Sequence, residues 1–142
     1  MIVLDASLVG PWTAQRAGFI YHPDSDVAIG WERDGKLVGG LVFTNYMPTK
    51  SIWLHVALEG PANRQFAAVA VDYPFIQLGV QQLITCADSG NRDAMRINKR
   101  FGFQEFGRVN NAAPDGDLVF FNMNREGYHA VVKKYGYPDG RR

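Results

Sequence analysis

Between Ser51 and Ala87 the sequence runs strand, breaker, helix, strand, and that order restricts the chain to folds with a parallel strand pair at their centre. In "SIWLHVALEG", Ile52, Leu54, Val56 and Leu58 alternate with Ser51, Trp53, His55, Ala57 and Glu59. Period two with one apolar face is the pattern of a half-buried strand. Gly60-Pro61 breaks it. Asn63 is a good helix cap, and Phe66, Val69, Ala70 and Tyr73 then recur at i, i+3, i+4 and i+7. Pro74 removes a backbone donor and should kink this helix late, and Gly79 should end it. "QQLITCA" (Gln81 to Ala87) reads as the second strand. A right-handed crossover joins two such strands as parallel neighbours.

The flanks predict antiparallel partners. "DVAIGWERDGKLVGGLVFTNY" (Asp26 to Tyr46) holds two β-rich runs around Asp34-Gly35, a strong signal for a tight hairpin. Gly39 and Gly40 inside the second run suggest a bulge or a close backbone approach. "GPWTAQRAGF" before it suggests a short helix. After Ala87 come a polar turn (Asp88, Ser89, Gly90), a helix capped by Asn91 and stopped at Gly102, and strands near Gln104 to Asn110 and Asp117 to Met123. A final amphipathic segment runs to Tyr135, and the tail "YPDGRR" is expected to be loose. The fold class is α/β, a mixed sheet with helices packed against it.

At 142 residues the chain is expected to form one domain, 1–142. The single cysteine, Cys86, allows neither an internal disulfide nor a cysteine-cluster zinc site. His22 and His129 have no partners at ligand spacing, so no metal is expected. Fifteen Lys+Arg against 14 Asp+Glu leave a net charge of +1, which gives no general attraction to nucleic acid or an anionic membrane. No apolar run approaches the ~20 residues needed to span a bilayer. The N-terminal "MIVLDASLVGPW" carries Asp5 and no basic leader, unlike a signal peptide. A reducing cytoplasm fits these features.

The stretch "ADSGNRDAMRINKRFGF" (Ala87 to Phe103) bears two readings. Ala94, Ile97 and Phe101 lie on one helical face, and Arg92, Arg96, Lys99 and Arg100 on another, so a capped amphipathic helix with a solvated basic side accounts for it. Yet a strand, a polar turn, Asn91-x-x-Ala94 and then Phe101-Gly102-Phe103 also resembles the distal motif of the GNAT superfamily of acyl-CoA N-acyltransferases. The upstream "VDYPFIQLGVQQLITCADSGN" and the late "DGDLVFFNMNREGYH" resemble that family too. The likeness is strongest to the branch that acetylates ribosomal-protein N-termini, and it covers most of the chain.

The resemblance implies a mostly antiparallel GNAT-like sheet whose central parallel strands splay apart. It implies acetyl-CoA as co-substrate, with its pantetheine arm in the gap along Val56, Ala57 and Leu58. Its pyrophosphate would lie at the stretch holding Gly60, Asn63, Arg64 and Gln65, where helix N-terminal amides favour anions. Asn91 would reach the cofactor amides, with Ala94 permitting close approach and Asn98 alongside. The partner would be an amine, either a small molecule or a protein amino group, and the resemblance leaves room for a homodimer.

Two departures stand out. "EGPANRQ" (Glu59 to Gln65) keeps one glycine of the family's phosphate loop, its Pro61 donates no amide, and Glu59 adds negative charge. Asn98 replaces the tyrosine that serves many members as the acid for the leaving thiolate. For the general base, His55 and Glu59 are the candidates, since they share a strand face beside the acceptor. Each also has a bland reading, His55 as a hydrogen-bonded semi-buried residue and Glu59 as a loop charge. Cys86 fits a buried structural thiol better than a nucleophile. Trp31, Tyr46 and Trp53 are either pocket lining or core. The competing reading is a catalytically silent acyl-CoA-binding or protein-interaction module on the same fold.

Overall fold

The computed structural model describes residues 1–61 and 63–135; the tail expected to be loose lies outside them. In chain order the elements are β1 (Ile2–Val3), α1 (Ala6–Ala17), β2 (Val27–Arg33), β3 (Lys36–Met47), β4 (Ser51–Leu58), α2 (Arg64–Asp72), β5 (Gln82–Asp88), α3 (Arg92–Phe101), β6 (Gln104–Ala113), β7 (Gly116–Asn124) and α4 (Arg125–Tyr135). The seven strands form one sheet in the order β1-β2-β3-β4-β5-β7-β6. Only β4 and β5 pair in parallel; the other neighbours are antiparallel.

The hairpin turns at Asp34 (φ 54°) and Gly35 (φ 76°), both in the left-handed region that a tight primed turn requires. Of the two suggestions for the glycine pair the bulge holds, and the close approach is made by side chains rather than by another backbone. The register shifts between Trp31 and Glu32, opposite Gly39 and Leu37, which leaves Val38 as the extra residue. A Cβ on Gly40 would lie 1.9 Å from Thr13 Oγ1, so α1 seats directly on the β3 backbone. The first helix is longer than expected and starts earlier, at Ala6, because Asp5 accepts from the Ser7 amide as its cap.

One core packs Ile29, Leu41, Phe43, Ile52 and Leu54 against Phe66, Ala70 and Val71 of α2 and Tyr128, Val131 and Val132 of α4. On the opposite face, Val9 of α1 meets Ala28, Leu37 and Val42. Pro74 does perturb α2 as expected: the helix gives way to one π turn over Tyr73–Gln77. Arg125 closes that irregularity by donating to the Phe75 and Val80 carbonyls at 3.3 and 2.9 Å.

Two details of the sequence reading change. In α3 the inward stripe is Ala94, Met95, Asn98 and Phe101, whereas Ile97 is exposed, because the helix turns its Met95 side onto the core. In β4 the apolar face does not stay buried to its end. Ile52 and Leu54 are covered, but Val56 is 41% exposed, since the neighbouring strand has by then diverged.

Candidate active site

The β4–β5 ladder is short. It comprises Ser51↔Gln82, Ile52↔Leu83 and Trp53↔Ile84, although β4 continues to Leu58 and β5 to Asp88. The last link is a side chain: Thr85 Oγ1 donates to the Leu54 carbonyl at 2.8 Å. Beyond it the strands part. In antiparallel pairs, residues that exchange hydrogen bonds alternate with residues that do not. Glu59 donates its N–H to the Val38 carbonyl at 2.8 Å. With the β3–β4 register, this turns the backbone groups of Trp53, His55, Ala57 and Glu59 toward β3 and those of Leu54, Val56 and Leu58 toward β5. Val56 and Leu58 therefore present donors and acceptors to the gap with no sheet partner. Ala57 turns its backbone to β3, and its side chain is buried.

Helices α2 and α3 both begin just beyond the C-terminal ends of the splayed strands. Their N-termini, with partial positive charge, flank the mouth of the gap, where open α/β sheets take ligands. Gly60 adopts φ 113°, which glycine tolerates at little cost. Asn63 caps α2 through Oδ1, which accepts from Gln65 N (2.8 Å) and Phe66 N (3.2 Å). Those amides are already used, and the exposed Arg64 is the remaining donor group there, with no ion-pair partner among the described residues. Asn91 caps α3 in the same way, its Oδ1 accepting from Ala94 N at 3.1 Å. The cap occupies the oxygen and leaves the Nδ2 donors without a partner among the described residues. Ala94 and Asn98 lie on the inward stripe of α3.

The polar turn between β5 and α3 is a clasp. Asp88 accepts from Gly90 N (2.9 Å) and Asp115 N (2.8 Å), and Ser89 Oγ accepts from Asp117 N (2.8 Å). These bonds tie the start of α3 to the β6–β7 turn. Gly90 is required because a Cβ there would lie 2.5 Å from the Asp115 carbonyl.

His55 and Glu59 share the α1 face of β4, as expected, but their surroundings differ. His55 is half-buried. Its ring stacks on Phe19 (centroids 4.1 Å apart, 16° between planes), and its Nε2 lies 3.2 Å from Thr44 Oγ1. Burial pulls its pKa below the ordinary 6.5, opposed by the Asp26 carboxylate. In the tautomer that donates Nε2–H to Thr44, Nδ1 keeps its lone pair, as a proton acceptor must. Glu59 instead pairs with Arg16 of α1 at 3.0 Å, and that guanidinium also lies 4.0 Å above the Trp12 ring. The negative charge at the start of the loop is thus balanced locally, and the carboxylate is engaged.

Phe19, Asp26, Thr44 and Arg16 carry no local signal in the sequence; the α1–β2 loop, β3 and α1 bring them to His55 and Glu59 of β4. Burial raises the Cys86 thiol, in keeping with a structural role. No cluster of His, Cys, Asp or Glu suited to a metal occurs among the described residues. A cleft of about 530 Å³ lies elsewhere, between the α3 C-terminus and α4, lined by Lys99, Asn122, Asn124 and Lys134. Asn124 pairs with Gln82, at the closed end of the strand pair, so this cleft is remote from the gap.

No family model and no curated protein matches the chain. Solved structures do. One described as a probable acetyltransferase is 16% identical, with a TM-score of 0.67 over 88% of this chain and 92% of that one. A mutant form of spermidine N-acetyltransferase SpeG from Vibrio cholerae is 18% identical, with a TM-score of 0.63 over 75% of this chain and 70% of that one. At these identities the likeness establishes the fold alone: the chain shares the architecture of these solved structures, here with the parallel pair at β4–β5.

Proposed function

We propose that the chain transfers an acetyl group from acetyl-CoA to a primary amine by direct attack in a ternary complex. The splay of β4 and β5 after only three registers carries this reading, since it leaves the Val56 and Leu58 backbone groups facing an open gap. An extended amide-bearing arm such as pantetheine complements those groups. Arg64 and the partial positive charge at the two flanking helix N-termini, rather than their capped amides, suit its phosphates. The amine loses a proton to His55, directly or through one water, and attacks the thioester carbonyl. A C–N bond forms, the C–S bond breaks, and the thiolate leaves and takes up the second proton shed by the amine nitrogen. The Val56 N–H is the donor available to the developing oxyanion. Glu59, engaged by Arg16, serves better as a structural charge than as the base.

The acceptor class is a finer matter. The sequence motifs resemble enzymes of ribosomal-protein N-termini, whereas a structural relative carries the name of a spermidine acetyltransferase. Peptide N-termini and polyamines therefore both belong in the screen. A silent acyl-CoA-binding module is the second reading. It is favoured by the Gln65 and Phe66 amides already bonded to Asn63, and by Asn98, which cannot act as an acid. Turnover of acetyl-CoA with the amine panel separates the two. Binding by calorimetry without turnover of any amine leaves the silent module standing, and no binding at millimolar CoA removes both.

A further inference from the structure

The buried polar side chains among the described residues are Thr13, Asp26, Thr44 and Thr85. Three have a local explanation. Thr13 donates to the Val9 carbonyl (2.7 Å), Thr85 to the Leu54 carbonyl (2.8 Å), and Thr44 meets His55. Asp26 is the remaining one and the only carboxylate. At 9% exposure it has no cationic partner among the described residues; its hydrogen bonds there are from the His22 N–H at 2.8 Å and the Ser25 hydroxyl at 3.4 Å. A buried charge without a counter-ion is costly, so its neighbours must offset that cost.

The sheet register supplies them. Val27 and Phe43 are the last pair of the β2–β3 ladder, so Asp26 and Thr44, the next residue of each chain segment, flank its open end. Val42 pairs with His55, which sets Thr44 one step diagonally from it on the same face, where their side chains meet. Asp26 just before β2, Thr44 of β3 and His55 of β4 thus form a row on the α1 side. The loop between α1 and β2 covers the row, and its Phe19 stacks flat on the imidazole. A protonated imidazole under an aromatic face and near a carboxylate is favoured by both.

We infer that Asp26 is a positioning residue for His55: a buried carboxylate, set in place by the loop between α1 and β2, that balances the charge His55 gains on taking a proton from the acceptor. The inference rests on the proposed role of His55 as proton acceptor. It accounts for a carboxylate kept buried without a cation, because the cation forms during turnover. Of the other charged and titratable groups on the elements packed around His55 and Asp26, Glu59 of the His55 strand is paired with Arg16 of α1, the Tyr21 phenol of the loop is raised by burial and by Asp26, and His22 and Asp24 of the loop are exposed. Thr44 on β3 is uncharged.

The test is the titration of His55 by NMR in the full chain, without acetyl-CoA or acceptor. Asp26→Asn keeps an acceptor for the His22 N–H and removes the charge, so a purely loop-closing role would leave the midpoint where it is. The expected result is a lower His55 midpoint in Asp26→Asn and its return in Asp26→Glu. An unchanged midpoint in folded Asp26→Asn overturns the inference. Should Asp26→Asn fail to fold, the wild type decides. Coupled groups report each other's ionisation, so the Asp26 carboxyl carbon must shift in a step at the His55 midpoint, and a missing step overturns the inference equally. With an acceptor in hand, kcat/KM should fall roughly tenfold in Asp26→Asn, less than the ~10²-fold floor for loss of the base itself, with the KM for acetyl-CoA kept. Intact coupling beside full activity in His55→Gln would instead refute the base, and with it the purpose assigned to Asp26, while the acetyl-CoA site stands.

Discussion

At His55 two opposing effects meet, and the larger sets a direction that can be measured. Burial disfavours the imidazolium more than Asp26 favours it, so the folded-state pKa lies below 6.5. Between that folded value and 6.5 the unfolded chain binds more protons than the folded one, so stability rises with pH across this window. It is complete above 6.5 and declines as pH falls below it. Denaturant titrations from neutral pH downward should show this slope, and His55→Gln should remove it. The same variant should lower kcat/KM by at least ~10²-fold without loss of acetyl-CoA affinity; normal turnover would assign deprotonation elsewhere. Asn91 divides its carboxamide differently. Its oxygen caps α3, and its Nδ2 has no partner among the described residues. Asn91→Ala should cost ~1 kcal/mol in stability and a further ~0.5–1.5 kcal/mol in acetyl-CoA binding. A lower melting temperature with unchanged affinity would make Asn91 a cap alone.

The elements around the gap are held by a few specific contacts. Thr85 satisfies the Leu54 carbonyl at the fork. Thr85→Val keeps the volume but strands that acceptor in a buried setting, at a cost of ~1–3 kcal/mol. Amide exchange in β4 and β5 should quicken around the fork, while the β6–β7 pair is unaffected. Helix α1 is fixed by Gly40 beneath Thr13. Gly40→Ala should destabilise by ~1–3 kcal/mol through overpacking, and adding Thr13→Ala should recover part of that, since contacting sites couple. Additive losses would mean that the helix simply shifts away. These elements differ in how legible they were. The Asp34-Gly35 turn, the Asn63 and Asn91 caps and the disruption at Pro74 follow from local chemistry, which a sequence displays. The early start of α1 needed Asp5 to be seen as a cap, and the exposure of Ile97 depends on how α3 rolls against the core, which spacing alone leaves open. The clasp of Asp88 and Ser89 on the β6–β7 turn joins residues 27 and 28 positions apart, beyond any local pattern.

Across the whole molecule, the parallel pair was readable because strand, helix and strand follow one another, but the extent of pairing was not. Three registers of contact and then divergence is a property of the assembled sheet, and so are the Asp26–Thr44–His55 row and the Arg16–Glu59 pair that engages one of the two expected bases. The divergence makes a prediction that separates a ligand in the gap from one bound anywhere else. A ligand held at 100 times its Kd stabilises by about 2.7 kcal/mol, which for a chain of this size raises the melting temperature by roughly 5–10 °C. CoA and acetyl-CoA should both do so. A site in the remote cleft would give the same shift, so the location has to come from the amides. The Val56 and Leu58 N–H groups face β5 without a partner, whereas that of Ala57 is bonded into β3. In the free protein Val56 and Leu58 should exchange much faster than Ala57. On adding CoA, protection should appear at Val56 and Leu58 and change little at Ala57. An alternating response along three consecutive residues is the signature of a backbone-paired ligand between the splayed strands. Uniform protection, or none, would move the ligand out of the gap.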